Sequence, residues 1–139
     1  MKAFTVTQPW GYAIARLGKG VENRAQKISY RGPVLIHVGL RMNDPAAEQL
    51  SQLGYVLDPD VMQRQRGNII GVTELVDCCR APGCHHSPTR WATNAWHWVL
   101  GQFTPFEAPI PYRGQLGLWN FPDELLKGVD LTTGKKRRR

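Results

Sequence analysis

The sequence predicts a small α+β domain of about five or six short strands with two or three helices among them, wrapped as a curled sheet or barrel. Three observations predict it. β-Branched runs recur at residues 34–38 and 68–77, helix-spaced apolar residues occur only in short stretches near 10–17 and 46–50, and the two kinds of segment do not alternate regularly. With 139 residues the chain is long enough for one core without covalent staples.

In chain order, residues 3–6 alternate and read as a first strand. Pro9 suits the first turn of a helix, where its missing N–H has no partner to lose, with Thr7 or Gln8 as the cap. Trp10, Ala13, Ile14 and Leu17 then form one apolar face, and Gly18 and Gly20 end it. Lys19 therefore falls at a helix C-terminus, and extended chain follows in which Glu22 and Arg24 share one side. Residues 25–31 are turn-like, and Gly32-Pro33 opens a strand through His37. Asn43 or Asp44 caps a second helix that has Pro45 in its first turn and Gly54 at its end. Asp58 or Asp60 opens a short helical turn through Gln63. The run 68–77 is the clearest strand, and residues 78–93, rich in Pro, Gly, His, Ser and Thr, form a long irregular loop. Residues 96–100 resume as a strand. The prolines within 103–110 confine that segment to an edge or a connection. Residues 115–121 give the last strand and 122–126 a short closing helix.

Residues 1–126 thus form one domain, and 127–139 a basic tail expected to be disordered, because like charges in a terminal run repel one another. Five of the positive charges are the last five residues; setting them aside reduces the formal +7 to +2. Such a tail adds salt-sensitive attraction to phosphates. A mildly basic body favours a pocket for one or two nucleotides over a broad duplex surface. No apolar run reaches membrane-spanning length and no secretory signal core opens the chain, so a cytoplasmic protein without a membrane partner is expected. The odd set Cys78, Cys79 and Cys84 makes no disulfide framework, and reduced thiols are expected. His85 and His86 beside them invite a zinc reading. Adjacent side chains rarely reach one ion, however, so no metal and no cofactor is expected.

The chemistry-bearing residues gather between the first helix and the strand through His37. Trp10 can stack on a base or anchor its helix. Lys19 can meet phosphate or, if burial lowers its pKa, act as base or nucleophile, with Glu22 as acid or base. The pair Glu22 and Arg24 either forms an ion pair with itself or Lys19, or offers an acceptor and a donor that match the edge of a flipped nucleotide, and Gln8 either satisfies backbone or meets a base edge in the same way. Tyr30 and Arg31 precede the strand where a cleft would open. Trp91 is the loop aromatic best placed to line a pocket, whereas Trp96, Trp98 and Trp119 fit a small core. His37 reads as a hydrogen-bonded neighbour of the core.

Six pieces, in order over residues 3–126, carry a family resemblance. They are Gln8-Pro9-Trp10, the stretch Gly18-Lys19 with Val21-Glu22-Asn23-Arg24, Tyr30-Arg31-Gly32-Pro33 with its strand, Ile70-Gly71-Val72 with Glu74 to Cys78, Trp98-Val99-Leu100, and Pro111-Tyr112-Arg113-Gly114 with Leu118-Trp119. The chain resembles the short stand-alone ASCH proteins of bacteria and phages, within the PUA-like β-barrel superfamily. That resemblance implies a β-barrel of five or six strands flanked by helices, with a cleft between the first helix and the barrel. It also implies binding of RNA or DNA, single-stranded or through a flipped or modified base, or of a nucleoside. Some ASCH proteins are hydrolases, among them an amidohydrolase of N4-acetylcytidine and relatives with ribonuclease activity. The reactive lysine of that amidohydrolase corresponds to Lys19; the next position of interest is threonine there and Glu22 here.

Overall fold

The computed structural model describes residues 1–138; Arg139, the last residue of the basic run, lies outside the described residues. The strands are β1 (Lys2–Gln8), β2 (Val21–Arg24), β3 (Gly32–Met42), β4 (Asn68–Cys79), β5 (Trp96–Leu100), β6 (Thr104–Pro111) and β7 (Leu118–Asn120). The helices are α1 (Trp10–Arg16), α2 (Asp44–Gln52) and α3 (Pro59–Gln65), and a single 3₁₀ turn, Asp123–Leu126, stands where the closing helix was expected. None of these helices is long and apolar enough to cross a membrane.

All seven strands join one sheet in the order β2-β5-β4-β3-β1-β7, with β6 also on β4. The α+β class is as expected, but the sheet does not close into a barrel. The long strand β4 is the cause: Leu75 to Cys79 pair with β5 and Asn68 to Val72 pair with β6, so one edge is shared by two partners and the path ends at β2. At the other end β7 covers only Lys2 to Phe4 of β1.

The middle of the sheet is buried on both faces, which is why residues 34–38 of β3 are apolar on both sides, with His37 the one polar side chain among them, rather than alternating. Val34, Ile36 and Val38 pack with Phe4, Ile14 and Trp98 on one face, and Leu35 packs with Phe106, Trp119 and Phe121 on the other. The caps act as the sequence predicts at two helices. The Asn43 side chain accepts from the Ala46 N–H (3.1 Å), and Asp58 accepts from Asp60 and Val61. At α1 the cap position belongs to Pro9, which offers no side-chain bond.

Two further expectations change. Residues 127–138 are tied down rather than loose: the Gly134 carbonyl accepts from Glu107 N–H (2.8 Å), Lys136 N–H donates to Glu107 Oε2 (2.8 Å), and Val129 and Leu131 pack on the second core. Lys135 to Arg138 keep their side chains exposed, so backbone anchoring and solvated charge coexist. Cys79 and Cys84 are joined as a disulfide instead of being free thiols. The turn between them, closed by Gly83 N–H on the Arg80 carbonyl, brings their Cα atoms to 5.1 Å. Cys78, facing the other way on β4, is free and buried.

Candidate functional site

The outer edge of β1 is covered by β7 only as far as Phe4, so Thr5, Val6 and Thr7 have no strand beyond them. The end strand β2 curls toward this bare stretch without pairing to it, and Arg24 spans the gap by donating to the Thr5 carbonyl (2.7 Å). A cavity of about 570 Å³ occupies this seam, with Trp10 of α1, Leu53 beyond α2 and Trp91 of the 80–95 loop around it. Its volume lies within the roughly 300–1,000 Å³ usual for small-molecule sites.

Lys19, Glu22 and Arg24 line the cavity together. Gly18, at φ +71°, turns the chain out of α1 so that Lys19 enters the seam; a side chain at Gly18 would strain that turn. Lys19 Nζ lies 3.1 Å from Glu22 Oε1, and Arg24 lies 3.3 Å from Glu22 Oε2. The carboxylate therefore holds one cation on each oxygen. Lys19 and Glu22 are only 4% and 6% exposed, which makes the contact a desolvated pair. Aromatic faces complete it: Lys19 Nζ stands 5.3 Å from the centroid of the Trp10 ring, and the Arg24 guanidinium 5.1 Å from that of Trp98 and 5.3 Å from that of Phe4. A desolvated cation–π contact such as that of Lys19 reaches about 2 kcal/mol, and the partly exposed Arg24 contacts less.

On the opposite side, Asn23 fastens the loop. Its amide donates to the Trp91 carbonyl (2.8 Å), and its oxygen accepts from Thr93 N–H (3.0 Å). Trp91 and Arg90 are thus held against the cavity mouth, where Arg90 donates to the Tyr55 hydroxyl. A second cavity of about 910 Å³ adjoins the first along β1; Thr5, Val6, Thr7 and Arg24 line both. Arg41, Arg113 and His37 face it. His37 Nε2–H donates to the Tyr112 carbonyl (2.7 Å), which leaves Nδ1 to accept from the Thr5 hydroxyl (3.2 Å). Burial holds the His37 imidazole below its ordinary pKa, against the opposing pull of that carbonyl bond.

Of the residues singled out from the sequence, Trp10, Lys19, Glu22, Arg24 and Trp91 meet in the cavity. Gln8 does not. It is fully buried, donating to the Met62 carbonyl and Gln65 Oε1 and accepting from Tyr12 N–H, so its amide pins α1 to α3 and has nothing left for a ligand. Tyr30 and Arg31 also stand apart at the start of β3. Tyr30 donates to the Pro33 carbonyl, and its phenol is pushed up by burial and by Glu74. Arg31 bonds the carbonyls of Ile28 and Tyr30 and lies 3.7 Å from Asp77. Thr5, Asn23 and Arg90 belong to the site although no spacing marked them. The Val21-Glu22-Asn23-Arg24 segment held a signal for Asn23, since a strand at a sheet's end leaves every second side chain to a neighbouring loop. The chain matches no protein-family model and no curated protein.

Proposed function

We propose that the chain is a nucleic-acid or nucleotide binding module, an ASCH-like variant of the PUA-like fold with an open sheet, and that the cavity takes the ring of a nucleoside or of one unstacked base. The observation that carries this is the buried Lys19–Glu22 pair, with the half-buried Arg24 on its other oxygen, lying beside Trp10 and Trp91 in a single cavity. Aromatic walls provide stacking, worth about 1–3 kcal/mol per base. Cations and a carboxylate provide donors and an acceptor for a base edge. Arg41 and Arg113 in the adjoining cavity stand where the backbone of a bound single strand would continue. The test is a thermal-shift screen of nucleosides, plain and base-modified, alongside binding of labelled single-stranded RNA and DNA. Stabilisation of the wild type by at least one nucleoside, lost in Trp91→Ala and in Lys19→Ala, supports the proposal; no shift with any nucleoside and no binding of either polymer at low salt defeats it.

One observation favours a second reading, a small hydrolase of nucleosides or RNA. Lys19 is a buried amine in direct contact with a carboxylate, Glu22, that can receive its proton, the arrangement a lysine nucleophile or base needs. Release of cytidine from its N4-acylated form, or cleavage of RNA, would have to disappear in Lys19→Ala. Turnover that survives this substitution excludes Lys19 as the reactive group.

A further inference from the structure

We propose that, in its dithiol state, the chain holds a zinc ion through Cys79, Cys84, His86 and His97. The ligand atoms of these four residues all lie within 4.8 Å of one another, at the base of the 80–95 loop. Cys79 and Cys84 have C-x4-C spacing, within the range of zinc-binding pairs. The histidines come from separate places, His86 from the loop and His97 from β5, which is why no short motif announces the set.

The backbone fixes which nitrogens face inward. His97 Nε2–H donates to the Thr93 carbonyl (2.7 Å) and His86 Nδ1–H to the Ser87 carbonyl (2.9 Å). The remaining nitrogens, His97 Nδ1 and His86 Nε2, therefore present lone pairs to each other at 3.1 Å. Two lone pairs at that distance repel unless something electrophilic lies between them. A shared proton would leave an imidazolium without an acidic partner, because no ion pair among the described residues involves either histidine and no carboxylate occurs in residues 78–101. A metal ion satisfies both nitrogens, and carbonyl bonds to the outer N–H groups are the support that ligating histidines ordinarily have.

Two edges of the set already match a zinc site, while the two sulfurs, bonded here as a disulfide, must separate on reduction. Tetrahedral zinc, with bonds of about 2.3 Å to sulfur and 2.0–2.1 Å to nitrogen, requires edges near 3.3 Å for N···N and 3.6 Å for S···N. The observed separations are 3.1 Å for the nitrogens and 3.4 Å from Cys84 Sγ to His97 Nδ1. Two thiolates cancel the charge of the ion. Reaching that state from the disulfide takes two equivalents of a small-molecule thiol, which supply two electrons and two protons and leave as their own disulfide. The two cysteine thiols then release their protons as zinc binds.

The test uses the full chain, expressed without chelator and purified in reductant. Elemental analysis is expected to find about one zinc per chain in the wild type and in Cys78→Ser and His85→Ala, and none in Cys84→Ser or His97→Ala. Cobalt titrated into the reduced, metal-stripped wild type reads the same site without relying on any variant's folding; strong visible bands of tetrahedral cobalt with thiolate charge transfer are expected. Failure of the reduced wild type to hold zinc or cobalt, or full zinc retention by Cys84→Ser, overturns the proposal.

Discussion

Glu22 is the residue on which the cleft's charges depend, since among the described residues it is the only carboxylate touching Lys19 and Arg24. Removing one partner of a buried pair strands the other. Glu22→Gln leaves the Lys19 ammonium unpaired and is expected to cost about 3–5 kcal/mol in chemical denaturation. Lys19→Met leaves Glu22 still paired with Arg24 and should cost clearly less; equal losses would contradict this asymmetry. His37 gives a pH dependence whose sign is fixed. Its folded pKa lies below the ordinary 6.5, so below that pH the unfolded chain binds a proton that the folded chain refuses. Stability should hold above pH 6.5 and fall as pH drops from there toward the depressed folded value. His37→Gln should flatten that part of the curve in melts between pH 5 and 7, as estimated from the ordinary histidine pKa of about 6.5. Much of the charged set was legible in the sequence, because Glu22 and Arg24 alternate in extended chain and Lys19 follows a glycine stop. Gln8 was not, since an amide that links two helices inside the core looks the same in sequence as one that faces a ligand.

Among the elements, the segment after the 3₁₀ turn is held by its backbone. Gly134 is buried at φ +74°, and a Cβ there would collide with the Pro105 carbonyl on β6. Gly134→Val should therefore free residues 128–138, raising hydrogen exchange at Glu107 N–H and protease cleavage in the segment while the central strands stay protected. Unchanged exchange at Glu107 would show that the docking does not need this close approach. The charge run alone suggested disorder, because the anchors lie upstream at Val129, Leu131 and Gly134, where single apolar residues and a glycine carry no periodic signal. The helix caps at Asn43 and Asp58, by contrast, were legible because a side-chain cap is a local interaction. Strand β7 is shorter than the run 115–121 suggested, Gly117 at φ +64° turning the chain just before it pairs.

At the scale of the whole molecule, the seven strands and the open path could not be read from periodicity, since closure depends on which partners share an edge of β4. The Cys79–Cys84 pairing was not read from the sequence, where an odd set of three cysteines pointed to free thiols; the turn that closes on the Arg80 carbonyl brings the two together, and His97 joins them only through the β4–β5 pairing of Cys79 with His97. For a polyanionic ligand, the exposed Lys135, Lys136, Arg137 and Arg138 add contacts outside the cavities. Replacing all four with Gln should make the slope of log affinity against log salt shallower by up to about 3 for a single strand, at about 0.7 per phosphate neutralised. An unaltered slope would place the bound strand away from this end of the molecule. Arg24 is the one β2 side chain common to the two cavities, anchored across the seam on Thr5. It acts as a partition, and Arg24→Ala would merge two chambers into one trough, so that the molecule would gauge an occupant by its length where it now gauges a single ring.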